Sequence, residues 1–201
     1  MAKIKNPNHP RKGQVITVEP IRSIEKIAEI SALLSDKPRD LLLFTIGINN
    51  GLRVGDLLKL KVGDVKGMQA GDTLKLKESK TGKINIFVTN RRIAKQVYHT
   101  LEGKNLPDDE FLFKSRKGNG PLTIQAVNNY VKKWTAAVGL SSGNYGAHSL
   151  RKTWGYHQRK TYGVGFEIIA RRFNHSNPAV TMRYLGIEDS EVHSVLLNEI
   201  G

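Results

Sequence analysis

The sequence predicts an α+β domain, mostly helical, with one small antiparallel sheet. Three observations lead there. Apolar residues recur at helical spacing over most of the chain from Val15 onward. One stretch, Leu74 to Val88, changes to a period of two around a glycine-containing turn. Capping residues stand at the joins between these segments.

Residues 1–14, MAKIKNPNHPRKGQ, carry Lys3, Lys5, Arg11 and Lys12 among Pro, Asn and Gly, and are expected to form a basic flexible tail. A solvated terminus and a DNA-contacting arm both fit that composition. Residues 15–201 are expected to form the domain itself. Ile24, Ile27, Ala28 and Leu34 fall on one helical face behind Ser23 as N-cap. Pro38 opens a second helix that runs to about Asn50 and stops at Gly51. Val54 to Leu58 makes a short helical turn. Leu74-Lys75-Leu76-Lys77-Glu78 and Ile84-Asn85-Ile86-Phe87-Val88 flank Ser79-Lys80-Thr81-Gly82-Lys83 as a β-hairpin. Asn90 caps a helix to about Leu101, Phe111-Leu112-Phe113 forms a short buried segment, and residues 114–120 form a basic, glycine-rich loop. Thr123 caps an amphipathic helix with Val127, Tyr130, Val131, Trp134 and Val138 on one side. Further helices are expected at about 149–162 and 165–173, then one from Asn177-Pro178 to about Tyr184. A last short one is marked by Val192, Val195, Leu196 and Glu199.

Charge narrows the partner. Lys plus Arg number 32 against 18 Asp plus Glu, a formal charge of +14 in 201 residues. Such an excess calls for a polyanion, of which nucleic acid is the commonest. The longest apolar run, Leu41 to Ile48, has the length of a core helix and not of a membrane span. The chain has no cysteine, which excludes disulfides and thiolate metal sites, and no signal-peptide layout opens it. A cytoplasmic, nucleoid-associated protein without a membrane partner is expected.

Six polar residues stand where local patterning does not ask for them: Arg53 after a helix end, Lys80 in a hairpin turn, His148 and Arg151 three apart, His175 between two helices, and Tyr184 nine residues later. Taken singly, each has an ordinary structural reading. Arg53 can cap carbonyls, Lys80 can be a solvated charge, and His148 with Arg151 can be a surface pair. His175 can be a structural histidine and Tyr184 a core aromatic. As a set they match what phosphoryl transfer to a tyrosine hydroxyl requires. Guanidinium forks suit the non-bridging oxygens of a phosphodiester. A phenol with an ordinary pKa near 10 needs a base or nearby cations to act as a nucleophile. The departing sugar oxygen needs a proton, which a lysine in a positive site can give. The histidines are scattered and few carboxylates lie near them, so no metal site and no cofactor is implied.

In order and context these segments resemble the catalytic domain of the tyrosine recombinases, the phage-integrase family. The family's first box resembles Gly47-Ile48-Asn49-Asn50-Gly51-Leu52-Arg53-Val54-Gly55-Asp56-Leu57-Leu58, and its hairpin lysine resembles Ser79-Lys80-Thr81-Gly82. The second box is similar to Gly146-Ala147-His148-Ser149-Leu150-Arg151-Lys152-Thr153, and the closing motif to Asn174-His175-Ser176 with Thr181-Met182-Arg183-Tyr184. The resemblance covers roughly residues 15 to 200.

It implies the fold of the DNA breaking-rejoining enzymes and site-specific recombination through a 3′-phosphotyrosyl intermediate on double-stranded DNA, without metal or ATP. It also implies roles. Tyr184 is the nucleophile, Arg53 and Arg151 clamp the phosphate, and Lys80 protonates the 5′ oxygen. His148 serves as acid/base toward the tyrosine, and His175 hydrogen-bonds the phosphate. A homo-oligomer on DNA, up to a synaptic tetramer, is expected, with residues 188–200 as a segment that docks in trans or packs on its own core. Two departures stand out. Phe173-Asn174 occupies the place where the family usually has Leu-Gly, which bears on local helix packing. The family's N-terminal DNA-clamping domain has no counterpart in these residues. Two other functions fit less well: a DNA-binding regulator that keeps the fold, and a type IB topoisomerase.

Overall fold

The computed structural model describes residues 17–187, 193 and 196–199. The expected basic tail lies outside the described residues, as do Val192 and Val195 of the expected last helix; its other markers are described and not helical, Leu196 in an exposed turn and Glu199 in irregular backbone. Helices dominate: α1 Ile24–Leu33, α2 Pro38–Asn50, α3 Val54–Leu57 and α4 Val62–Val65 precede a two-stranded antiparallel sheet of β1 Thr73–Lys77 and β2 Ile84–Val88. Then come α5 Arg91–Leu101, α6 Ile124–Ala137, α7 Ala147–Lys160, α8 Phe166–Phe173 and α9 Pro178–Leu185.

The caps act as the sequence indicates. Ser23, Asn90, Thr123 and Asn177 each accept a hydrogen bond from a backbone N–H in the first turn of the helix that follows. Pro38 and Pro178 occupy first-turn positions, where their missing N–H costs nothing. Gly51 ends α2 at φ 65°, a left-handed conformation that a side chain resists. One element has no sequence signal and one expectation needs correction. Residues 62–65 form a helix too short to show a period, and α7 starts and ends two residues earlier than its periodicity indicates.

α7 occupies the centre. It packs against α2, α6, α8 and α9, so residues from most of its circumference are buried, among them Ser149, Arg151, Lys152, Thr153 and His157. Its crossing with α2 is close: a Cβ on Gly47 would meet Leu150 Cδ1 at 2.7 Å. The main core joins α1, α2 and α6 around Phe44, Leu42, Leu43, Val127, Val131 and Leu150. A smaller cluster gathers Phe166, Ile169, Phe173 and Leu185 from α8 and α9, with Trp154 and Tyr184 packed on it. The hairpin lies to one side, with Thr73 opposite Val88 and Lys77 opposite Ile84. Among the described residues no helix is long and apolar enough to cross a membrane.

Candidate active site

Three chain segments deliver the arginines and the lysine to one place. Arg53 is the residue before α3, in extended backbone just after the left-handed turn at Gly51. That turn is pressed on Trp154 so closely that a Cβ on Gly51 would lie 2.6 Å from the indole. Asp56, one turn further, holds the hairpin: its Oδ1 accepts from the Ser79 N–H at 2.9 Å and from the Ser79 hydroxyl at 2.7 Å. Lys80 is thereby carried next to Arg53. Together with Asp56, Ile124 and His148, Arg53 and Lys80 line a cavity of about 270 Å³.

Arg151 comes from α7 and is 2% exposed. Its Nη2 donates to the Phe173 carbonyl at 2.7 Å, and its guanidinium lies 4.2 Å from the centre of the Phe173 ring. Arg53 Nη2 reaches the same carbonyl at 3.5 Å. The last carbonyl of α8 thus gathers both arginines, and it is free to do so because Asn174 turns the chain away at φ 53°. Asparagine tolerates that left-handed conformation better than other residues with a side chain, so Asn174 does the work of the glycine usual here. Phe173 is wholly buried against Trp154 and Tyr184.

His175 and Tyr184 close the site. The His175 ring nitrogen Nδ1 is 2.9 Å from Thr181 Oγ1 on α9, and the ring meets Tyr184 edge to face at 5.3 Å. Tyr184, in the last turn of α9, is also edge to face with Phe173 at 5.6 Å. The six residues singled out in the sequence therefore converge on one place. His148 and Arg151 share it from different depths, His148 at the surface and Arg151 beneath.

A carboxylate that sequence reasoning passed over organises the cationic side. Glu78 is 1% exposed and accepts from the Thr81 hydroxyl at 2.6 Å and from Asn85 Nδ2 at 2.8 Å. Arg53 Nη1 lies 2.5 Å from its Oε2, without the alignment of a full hydrogen bond. Burial works against this charge, but hydrogen bonds from Thr81 and Asn85, with the Arg53 ion pair and the neighbouring Asn174 amide, outweigh it and hold the pKa at about 2. Arg172 anchors Asn85 from behind through Oδ1 at 2.7 Å, and also bonds the Ile86 carbonyl and Asn50. The signal was present. Glu78 has the same strand parity as the inward-facing Leu74 and Leu76.

The electrostatics follow from crowding cations in a partly dry place. Partial burial against the site, then Arg151, Lys80 and Arg53, lower the pKa of His148, which keeps one side open to solvent. Burial, Arg151 and Arg53 bring His175 down to about 4, so its ring is neutral at physiological pH. Arg151 itself drops to about 10, chiefly through burial. For Tyr184, burial pushes the phenol upward while Arg151, which also comes within hydrogen-bonding reach of it, and Arg53 pull it back. Arg53 Nη1, Arg151 Nη1 and Tyr184 Oη are buried without a well-formed hydrogen bond, and they belong to this one site.

The sequence matches the phage integrase family over residues 14–191. The chain belongs to that family. The probable integrase/recombinase YoeC of Bacillus subtilis (strain 168) is 38% identical over 174 residues, covering 86% of this chain and 91% of that relative. Among solved structures, XerA recombinase superposes with a TM-score of 0.71 at 18% identity, covering 93% of this chain and 68% of that one. A lambda integrase dimer bound to a COC′ core site superposes at 0.65 and 18% identity, covering 95% and 53%. At such identities these two likenesses establish the fold, that of the tyrosine-recombinase catalytic domain. With the family match and the YoeC likeness, the chain is a site-specific tyrosine recombinase.

Proposed function

We propose that this recombinase cuts and rejoins duplex DNA through a bond between Tyr184 Oη and the scissile phosphorus. The observation that carries the proposal is that Arg151 and Tyr184 each keep a buried polar atom without a well-formed hydrogen bond. Buried polar atoms are normally paired, and leaving one unpaired costs about 1–3 kcal/mol. Here Arg151 Nη1 and Tyr184 Oη lack a well-formed hydrogen bond in the same site, beside an Arg53 whose Nη1 is held by Glu78 alone, an arrangement that a phosphodiester would complete. Its two non-bridging oxygens would take the guanidinium donors and its phosphorus would face the phenol oxygen.

In this scheme the Tyr184 phenol loses its proton, with His148 as acid/base, and its oxygen attacks phosphorus. The bond from phosphorus to the 5′ oxygen breaks, and Lys80 supplies the proton that oxygen needs. His175, neutral at physiological pH, hydrogen-bonds the phosphate. Rejoining reverses each step, with a 5′ hydroxyl attacking the phosphotyrosine. The phosphodiester is conserved as a phosphotyrosyl ester, so no nucleotide is consumed. The arginines neutralise the charge that develops on the phosphate, and chelating agents are expected to leave the reaction unchanged.

The lambda integrase relative is a dimer on its core site, which supports oligomeric action on DNA here. A synaptic tetramer, with residues 188–200 docking on a neighbouring protomer, extends that proposal; most of that segment lies outside the described residues. The test is trapping. The protein is incubated with a nicked duplex that loses its 5′ end on cleavage, and the products are run on a denaturing gel beside Tyr184→Phe. A slow DNA band that the variant lacks is expected. No band on substrates the protein binds in a salt-sensitive way would favour the reading as a DNA-binding regulator.

A further inference from the structure

Lys152 is an ionisable group to which the scheme above gives no task. It follows Arg151 on α7 and is 6% exposed. Lysine is seldom this deep unless something compensates its charge. What its Nζ meets is the ring of Tyr184, 4.7 Å from the centroid. The same ring is braced edge to face by Phe173 and His175 at 5.6 and 5.3 Å. The ring of the reactive tyrosine is therefore held by two aromatic edges and a buried cation.

We propose that Lys152 is a positioning residue for Tyr184, its ammonium steadying the ring and favouring the phenolate as the hydroxyl loses its proton. The proposal rests on reading Tyr184 as the nucleophile. A cation near an aromatic face is attracted to the negative side of the ring quadrupole. That attraction grows as the ring oxygen becomes an anion, so the interaction is stronger along the reaction than before it.

Other charges around Tyr184 do not make Lys152 redundant. Arg53 and Arg151 face the phenol oxygen from the start of α3 and from α7, but in the proposed scheme both are engaged by the phosphate. His148 on α7 is crowded by cations, His175 at the start of the α8–α9 turn is neutral at physiological pH, and Glu78 from the hairpin is tied to Arg53. Lys152 approaches the ring without a place in the phosphate clamp. Behind it runs the chain before α1, tied to α7 by the Ile21 N–H to Thr153 Oγ1 at 2.8 Å. Glu19 and Arg22 of that segment act on the Lys152 charge in opposite senses, and burial brings its pKa below the ordinary lysine value.

The experiment is the rate of covalent adduct formation on the nicked duplex from about pH 6 to 10.5, the upper end reaching the ordinary lysine pKa. It compares wild type, Lys152→Met, Lys152→Arg and Tyr184→Phe, with DNA affinity and thermal melting measured alongside. Near neutral pH, Lys152→Met is expected to be about tenfold slower than wild type, with DNA affinity changed by less than about threefold. The ratio of wild type to Lys152→Met should shrink as pH rises and Lys152 gives up its proton. Lys152→Arg keeps a permanent charge; it should recover most of the rate, and its ratio to Lys152→Met should stay level to the top of the range. If Lys152→Met fails to fold, wild type should still lose rate relative to Lys152→Arg as pH rises. A ratio that is flat with pH, or Lys152→Arg as slow as Lys152→Met, would overturn the proposal and leave Lys152 a packing residue. Absence of an adduct in wild type, or its survival in Tyr184→Phe, would remove the nucleophile itself and the role of Lys152 with it.

Discussion

Arg151 is where burial and chemistry conflict. The protein holds its guanidinium 2% exposed, gives Nη2 the Phe173 carbonyl and leaves Nη1 without a well-formed hydrogen bond. A group used only for folding would have all its donors paired; one waiting for a ligand oxygen would not. Arg151→Ala is accordingly expected to slow adduct formation by about two to three orders of magnitude. DNA affinity should change by no more than about tenfold, because many phosphates share the binding. Equal losses in rate and affinity would contradict that role. His175 gives a second prediction at this scale. Its folded pKa, about 4, lies below the ordinary 6.5, so the unfolded chain binds the proton more tightly. Stability is then complete above about pH 6.5 and declines as pH falls toward 4. His148, also lowered, acts in the same direction, and the depressed carboxyl of Glu78 adds a further loss between about pH 4.5 and 2. Thermal melting of His175→Gln against wild type should show a shallower decline between about pH 6.5 and 4; identical slopes would mean His175 is not held neutral.

At the scale of elements, the hairpin shows what the sequence could and could not disclose. Its existence and turn were legible from the period of two and from Gly82. Its facing was not. Hydrophobicity would turn Ile84, Ile86 and Val88 inward, yet those three are exposed while Asn85 and Phe87 are buried. Phe87 outweighs the smaller side chains in the core, and Asn85 pairs with Glu78 and Arg172. A polar network carried by a strand cannot be read from one residue's hydropathy. The same holds for α7, whose Ser149, Arg151, Thr153 and His157 look like an exposed face and are interior. The helix caps and the spacing of the polar site residues were legible because they depend on local geometry and motif order. Asn174 can be tested at this scale. Asn174→Ala must hold φ 53° without asparagine's tolerance and should cost about 1 kcal/mol, whereas Asn174→Gly should cost less in denaturant titration. The hairpin anchor is tested by Ser79→Ala, which removes one of two bonds to Asp56. It should lower the cleavage rate about tenfold if Lys80 is the acid it carries, with melting little changed.

For the whole molecule, α7 is the frame on which the other parts are placed. Its packing on α2 sets Arg53 through Gly51 and Trp154, and its packing on α8 and α9 sets Phe173 and Tyr184. A Cβ at Gly155 would meet Phe173 at 2.8 Å and Leu185 at 2.9 Å. Gly155→Ala should therefore destabilise the fold by about 1–3 kcal/mol and slow cleavage through the displaced Phe173 carbonyl. The formal charge of +14 predicts that DNA affinity falls steeply with salt. Those effects surround the central claim without deciding it. Mass spectrometry of the trapped adduct after nuclease and trypsin digestion decides it directly. The tryptic peptide that begins at Tyr184 should carry the residual nucleotide on its tyrosine. A nucleotide on Tyr130, Tyr156, Tyr162 or a serine would contradict the assignment of Tyr184 as the nucleophile.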